Sequence, residues 1–340
     1  MQIELPISKS IANRLLILQA IHGDGLMTVS CDMPDDVRIM SEAIRRLGER
    51  REARIDLGNC GTAMRFLTAY CAQLEGQTTI LDGVERMHHR PIGQLVDALR
   101  EIGADIEYLG EEGFPPLRIK GCILDKRRIV TINNPQSTQF VSALLLIGAN
   151  VQTDSTSPYI YITQEVIKQY QLSPFSYHLS VEKDWSSAAF WYEYVALYGG
   201  EITLLGLSHD SLQGDKIVAD IFAHLGIHTT YTAEGVVISS SPLHPTPYTL
   251  HHDFSACPDL YPAIALTCER LGVELHATGV ESLPLKESDR LRAVREHRTD
   301  ADHRMAMALL IAGYEVDDTA CISKSYPNFI EHFRHINSLK

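Results

Sequence analysis

The chain has 340 residues, 45% hydrophobic and 21% charged, which is more than one hydrophobic core usually serves, so two domains are expected and a disordered or fibrous chain is excluded. Its 43 acidic and 30 basic residues leave a formal charge of −13, so bulk electrostatics repels nucleic acid and anionic membranes, and any anionic ligand must be held by local cations. No apolar run reaches the roughly 18–20 residues that span a bilayer, and Met1 to Ser10 lacks a basic region followed by an apolar stretch, so a cytoplasmic protein is expected.

The segment Ser8-Lys9-Ser10-Ile11-Ala12-Asn13-Arg14 opens an apolar helix that continues through Leu18, with Ser10 placed as its cap and Arg14 one turn on. Ile39 to Leu47 is a helix that runs into Gly48. Leu57 to Arg65, LGNCGTAMR, reads as a strand end, a glycine turn that frees backbone N–H groups, and a new helix. It has the look of a phosphate cradle without Walker spacing. Arg86 and Arg90 precede Pro91, which is expected at a first helical position. Leu95 to Ile102 forms a helix ending at Gly103, followed by a strand over Asp105 to Leu109.

A helix is expected over Thr163 to Tyr170; the pattern then loosens over Ser173 to Val181, where a domain boundary is placed. Ile217 to Leu225, Gly226 and His228 to Tyr231 repeat the order helix, glycine, strand. That recurrence in both halves argues for an α/β architecture, with glycine supplying the left-handed helix stop. Asp259 sits in the proline-bounded turn Cys257 to Pro262 ahead of apolar Ala263 to Leu266, a position that also suits a helix N-cap. The segments Lys286 to Leu291 and Asp302 to Met307 again put arginines, Arg290 and Arg304, at helix starts. The seven cysteines form no CxxC pair and the fifteen histidines no HExxH, so neither disulfides nor a metal site are expected.

A cation at a helix N-terminus opposes the peptide dipole by roughly 0.3–1 kcal/mol. One instance is a solvated basic residue; five along one chain point to a small, multiply charged anion. Arginine presents a planar fork matched to carboxylate and phosphate, so Arg90, Arg290 and Arg304 are expected to converge on a ligand carrying both. Unpaired, such a cluster would repel itself, so the empty protein is expected to be partly open there and to close on its ligand. Asp259 and Glu287, beside these cations, are placed to accept a proton or stabilise transient positive charge.

The motifs SKSIANR (8–14), LGNCGTAMR (57–65), ERMHHRPIG (85–93), STQF (137–140), EKDWSSA (182–188), PD (258–259), KESDRL (286–291) and DHRMAM (302–307) stand in an order that resembles the 5-enolpyruvylshikimate-3-phosphate synthase family over nearly the whole chain. The resemblance implies transfer of the enolpyruvyl group of phosphoenolpyruvate to the 5-hydroxyl of shikimate 3-phosphate, with release of phosphate and with no metal or organic cofactor. It implies a two-lobed α/β enolpyruvyl transferase fold, an inside-out α/β barrel with three repeated strand and helix units per lobe. The first lobe is expected at 8–181, on the shikimate 3-phosphate side. The second, 1–7 plus 182–340, is expected to contribute phosphoenolpyruvate-binding and catalytic residues, with ligands between the lobes.

By the same resemblance Lys9, Ser10, Arg14, Ser137, Thr138, Gln139, Tyr159, Asp259, Ser282 and Lys286 are expected to contact shikimate 3-phosphate. Lys9, Asn59, Gly61, Arg90, Gln139, Arg290, Arg304 and Lys324 fall to phosphoenolpyruvate. Lys9, Asp259 and Glu287 are the expected catalytic residues: Asp259 takes the 5-hydroxyl proton, Glu287 serves the methylene carbon, and Lys9 acts as acid or base provided neighbouring cations lower its pKa. A monomer sensitive to glyphosate is implied, Gly61 leaving room beside the phosphoenolpyruvate site.

Departures from the family pattern lie at Thr156-Ser157-Pro158-Tyr159, which lacks a cation, and at Ser282, which replaces an asparagine. Short spacings at 171–181 and 292–301 leave out strands and a helix, a loss expected to expose apolar faces of the second lobe. Two alternatives stand beside this reading. UDP-N-acetylglucosamine enolpyruvyl transferase typically uses a loop cysteine as acid, whereas His88-His89-Arg90 holds no thiol and Cys60 sits in the glycine turn. A noncatalytic anion-binding remnant of the fold is the other.

Overall fold

A computed structural model of the chain describes residues 1–49, 51–172, 181–240 and 248–338. The loosened stretch 173–180 lies outside the described residues. In chain order the elements begin with β1 (Gln2–Glu4), α1 (Lys9–His22), α2 (Asp35–Glu49), β2 (Glu52–Asp56), α3 (Gly61–Ala72), β3 (Thr78–Asp82), α4 (Gly93–Glu101), β4 (Asp105–Tyr108) and β5 (Leu117–Lys120). Next come β6 (Ile129–Thr131), α5 (Thr138–Leu146), β7 (Asn150–Gln152), α6 (Pro158–Leu172), α7 (Trp185–Tyr198), β8 (Glu201–Leu205), α8 (Val218–His224), β9 (Ile227–Tyr231) and β10 (Gly235–Ser240). The chain closes with β11 (Thr249–Asp253), α9 (Tyr261–Leu271), β12 (Glu274–Thr278), α10 (Arg290–Glu296), α11 (His303–Ala312) and α12 (Phe329–Ser338).

These elements fall into two compact units. The first is Lys9–Cys31 with Asp36–Ser180, the second Met1–Ser8 with Asp32–Asp35 and Val181–Lys340. Relative to the boundary expected from the sequence, Ser8, Asp32–Asp35 and Val181 belong to the second unit.

Among the described residues each unit shows one complete repeat and one shortened one. In the first unit the order β2, α3, β3, α4, β4, β5 gives a four-stranded sheet β2-β3-β5-β4. β2 and β3 are parallel, as a helical crossover requires, and β5 is antiparallel to both of its neighbours. The second unit repeats this topology with β1, α7, β8, α8, β9 and β10, in the sheet order β1-β8-β10-β9. β6, α5, β7, α6 and β11, α9, β12, α10 follow the same course as far as a parallel strand pair. Among the described residues neither pair gains further strands.

Each core is organised by a helix buried on nearly every side. In the first unit α3 is buried at every position except Thr62 and packs against α1 and α5. In the second, α7 buries Trp185 through Val195 without a break and packs against α8, α9 and α11.

Gly103 (φ +102°) and Gly226 (φ +85°) carry the left-handed conformation that ends α4 and α8, as their place after an apolar helix predicts. Gly48 does not: it lies inside α2, which runs on to Glu49. Ser10 is not a cap either. The Ser8 N–H is held by the Glu182 carbonyl at 2.7 Å, so the chain turns helical at Lys9 and Ser10 falls in the first turn of α1. Pro91 precedes the helix it was expected to open. Glu85–His89 forms a 3₁₀ turn, the Ile92 N–H is drawn to the Gly113 carbonyl at 2.9 Å, and α4 begins at Gly93.

Candidate active site

In the first unit the site residues stand at helix starts. Lys9 opens α1, and its Nζ donates to Asp36 Oδ2 at 2.9 Å. Asp36 is the second residue of α2 and buried. Lys9 therefore meets a carboxylate, where the sequence suggested cations. Arg14 is buried, and four of its N–H groups are used within the unit. Nε donates to Thr163 Oγ1 (2.7 Å), Nη1 to the Ser10 carbonyl (2.6 Å), and Nη2 to Ser142 Oγ (3.3 Å) and the Tyr159 carbonyl (3.0 Å). Burial pulls its pKa down to about 10, Tyr159 acting weakly the other way. Arg14 thus ties α1 to α5 and α6 and has little left for a ligand.

The glycine turn after β2 uses Gly58 at φ +54°, its N–H on Asp56 Oδ1 at 2.8 Å. It delivers Asn59 and Gly61 to the start of α3. A Cβ on Gly61 would come within 2.5 Å of Nη1 of both Arg65 and Arg90, so glycine here is what lets two guanidinium groups crowd one backbone position. Arg90 Nη1 reaches the Asn59 carbonyl at 3.5 Å. Arg65 donates to the Gly61 carbonyl and to Gln139 Oε1, both at 3.2 Å, and Gln139 Nε2 to Thr62 Oγ1 at 2.9 Å. Ser137 caps α5 by accepting from the Gln139 N–H, and Thr138 is its first helical residue. Tyr159 lies in the first turn of α6, its N–H on Ser157 Oγ at 3.3 Å. Thr156 and Ser157 line an open cavity of about 740 Å³ with Asn133, Gln152, Tyr161 and Gln164.

The second unit holds the denser cluster. Asp259 lies in a 3₁₀ turn, Pro258–Leu260, that leads into α9, and its carboxylate accepts from three cations. Lys286 Nζ (3.2 Å) and Arg290 Nη1 (2.8 Å) share Oδ1, and Arg304 Nη2 (3.0 Å) takes Oδ2. Arg290, 1% exposed, meets a different carboxylate with each nitrogen: Nε on Asp302 (2.8 Å), Nη1 on Asp259, and Nη2 on Glu287 (3.2 Å). Lys324 Nζ stands 3.8 Å from Glu287. Asp302 caps α11 through the Arg304 N–H and also accepts from Ser288 Oγ.

Burial works against the charge of Arg290, but Asp302, Asp259 and Glu287 outweigh it and hold its pKa above the ordinary value. Arg304 follows the same balance, with Asp259 its main support and Arg290 opposing. Burial holds Lys286 below the usual lysine range despite Asp259. Asp215, which accepts from Ser186 Oγ, is raised to about 6 by burial and then by Asp259, Arg304 opposing.

One expectation is overturned: these cations do not need a ligand to coexist, because Asp259, Glu287 and Asp302 compensate them within the unit. Arg290 and Arg304 do come together, on the two oxygens of one carboxylate. Ser282 sits at the head of the 3₁₀ turn Leu283–Leu285 and makes no hydrogen bond to them among the described residues. Sequence reasoning gave no role to Asp36, Arg65, Asp215 and Asp302. Asp302 alone carried a local signal, as a cap residue before an apolar helix.

The repeated βαβαββ sheets, with Lys9, Arg290 and Arg304 in the first turns of α1, α10 and α11, are consistent with the enolpyruvyl transferase fold. A family model described as EPSP synthase (3-phosphoshikimate 1-carboxyvinyltransferase) matches residues 49–172, 147–297 and 294–333, and the chain belongs to that family. It is 37% identical over 394 aligned residues to a 3-phosphoshikimate 1-carboxyvinyltransferase of Bacteroides fragilis, covering 98% of this chain and 94% of that one. Identity to a protein of that name from Cellvibrio japonicus is 31%, covering 99% and 96%. In fold the chain is similar to EPSP synthase from Acinetobacter baumannii, with a TM-score of 0.69 at 20% identity over 98% of this chain and 95% of that one. The 394 aligned positions exceed the 340 residues here, so the Bacteroides protein carries internal residues that this chain lacks.

Proposed function

We infer that this chain transfers the enolpyruvyl group of phosphoenolpyruvate to the 5-hydroxyl of shikimate 3-phosphate, releasing phosphate, as a step of aromatic amino acid biosynthesis. Family membership supports the reaction, and the observation that carries the chemistry is Asp259 held between Lys286, Arg290 and Arg304. A carboxylate in that position accepts the 5-hydroxyl proton, while Glu287 exchanges a proton with the methylene carbon. Protonation there leaves cationic character on the adjacent carbon, which the two carboxylates stabilise. Addition gives a tetrahedral intermediate, and loss of phosphate reverses the proton traffic.

In this reading Arg290, Arg304 and Lys324 hold phosphoenolpyruvate together with Lys9, Asn59, Gly61, Arg90 and Gln139. Lys9, Ser10, Ser137, Thr138, Gln139, Tyr159, Ser282, Lys286 and Asp259 receive shikimate 3-phosphate, and Arg14 contributes mainly by fixing Ser10 and Tyr159. The unit Lys9–Cys31 with Asp36–Ser180 takes the shikimate 3-phosphate side. The enzyme works as a cytoplasmic monomer without metal or organic cofactor, and Gly61 makes it a glyphosate target. The acceptor alternative, a UDP-sugar, gains no support from the thiol it would use as acid: Cys60 is buried, its thiol on the Asp36 carbonyl.

Phosphate release from phosphoenolpyruvate, assayed with shikimate 3-phosphate, with UDP-N-acetylglucosamine and with no acceptor, tests the assignment. Release only with shikimate 3-phosphate is expected; release with the UDP-sugar, or none at all, rejects it. Lys9→Met should abolish turnover and leave the far-UV circular dichroism spectrum unchanged. A near-normal rate would remove Lys9 from the mechanism.

A further inference from the structure

We propose that Asp259 and Glu287 serve the substrate-free second unit as stand-in counter-ions, and that phosphoenolpyruvate binds by displacing them from Arg290 and Arg304. Binding the anion then frees the two carboxylates for proton transfer. This rests on the functional reading above and deepens it.

Arg290 is almost wholly shielded from water, and each of its three nitrogens already meets a carboxylate. Three of its five N–H groups are taken, so a ligand approaching any of its nitrogens meets a carboxylate already in place. The three carboxylates are not equivalent. Asp302 is fully buried, caps α11 through the Arg304 N–H, and accepts from Ser288, so releasing it would unmake a helix start. Asp259 and Glu287 keep 18% and 10% of their side-chain surface exposed and stand outside the helices, on a 3₁₀ turn and on the segment leading to α10. They are the two that can move.

Arg304 is arranged differently. It donates from Nη2 to Asp259, while Nε and Nη1 have no hydrogen-bond partner among the described residues although the side chain is 2% exposed. Buried donors left open in this way favour an incoming anion. Lys286, Arg290, Arg304 and Lys324 face Asp259, Glu287 and Asp302, and Asp184 and Asp215 also act on Arg304, so the cluster is compensated without a ligand and an anion enters by exchange rather than by filling a charge deficit. An arriving phosphate or carboxylate meets the open donors of Arg304 first. It then competes with Asp259 for Nη2 of Arg304 and with Asp259 and Glu287 for Arg290.

The consequence runs against the usual expectation for a residue in a binding site. Removing a competing carboxylate should tighten anion binding while it removes the chemistry. Full-length chains would be titrated calorimetrically with phosphoenolpyruvate and, separately, with inorganic sulfate, which has no proton to exchange near neutral pH. Glu287→Gln is expected to bind both between about threefold and thirtyfold more tightly than the wild type. Its kcat should fall by about 10²-fold or more. Asp259→Asn should move in the same two directions. Glu287→Asp, which keeps the charge and so the folded cluster but shortens the reach to Arg290, should tighten sulfate binding to a smaller degree.

Equal or weaker binding in the folded variants overturns counter-ion exchange. The phosphate-release assay on the wild type separates this from failure of the functional reading. A chain that turns over but whose variants bind no tighter keeps its function and loses the mechanism proposed here; a chain with neither turnover nor sulfate binding loses both.

Discussion

Glu193 lies in the middle of α7 among Trp191, Tyr192, Tyr194 and Val195, fully buried, with no hydrogen-bond partner for either carboxylate oxygen among the described residues. Burial raises its pKa well above the ordinary value, so the folded chain holds it as a neutral acid. The unfolded carboxyl ionises near its usual value of about 4.3. Above that pH the native state binds one more proton than the unfolded state, and stability falls as pH rises, by about 1.4 kcal/mol per unit, until the folded group itself ionises. Asp215, raised to about 6, acts in the same direction but only between about pH 4 and 6. Beyond that range Glu193 remains the raised carboxyl, while His252 and His332, held below the usual histidine range by burial, act in the opposite sense. Glu193→Gln should therefore flatten the loss of stability that sets in as pH rises above the unfolded carboxyl's value of about 4.3, measured as urea midpoints; parallel slopes in mutant and wild type would refute the assignment. None of this was legible from the sequence, because a glutamate among aromatics on a helix reads as a solvated face until neighbours close over it. Asp36 and Arg65 were hidden for a related reason, since their roles come from partners 27 and 74 residues away.

Elements were more legible than contacts. The helix, glycine, strand pattern read at 95–109 and 217–231 falls on α4 to β4 and on α8 to β9, which hold the same place in the complete sheet of each unit. The glycine is needed there because the chain must leave the helix in a left-handed conformation. The three-residue strands β1 and β6 gave no signal, as so short a segment cannot show alternation. At 292–301, where the sequence is short, the structure shows how the gap is closed. α10 packs on α9 and α11 with Ala293 and Val294 buried, so at this point of the second unit apolar surface is covered rather than exposed. The cost falls on the connection, where His297, Asp300 and Ala301 all adopt positive φ, between +46° and +56°. Left-handed backbone costs a residue with a Cβ about 1–2 kcal/mol, and glycine gives back part of that gain through its greater freedom when unfolded. Ala301→Gly should thus stabilise the second unit by about 0.5–1 kcal/mol, raising Tm by a few degrees. A lowered Tm would mean that the left-handed turn carries no strain.

At the scale of the whole chain, the first unit is an insertion within the second. β1 pairs in parallel with β8, Gln2 opposite Thr203 and Glu4 opposite Leu205, so one edge of the second unit's sheet comes from the extreme N-terminus and the rest from beyond residue 200. Loop closure across such a separation contributes nothing to stability until both ends are in place, and so the second unit cannot complete its core from its own contiguous residues. Ile3 and Leu5 are each 1% exposed, and burying two such side chains is worth about 3–6 kcal/mol, a large share of the 5–15 kcal/mol typical of a domain. Both tryptophans, Trp185 and Trp191, lie in α7, so their fluorescence reports on the second unit alone, while far-UV circular dichroism reports on both. A chain restarted at Pro6 should lose its tryptophan transition at markedly lower urea while a later dichroism transition, that of the first unit, stays where it was. If the two signals instead shift together, the units do not unfold independently; if neither shifts, the N-terminal strand contributes nothing to the core it enters.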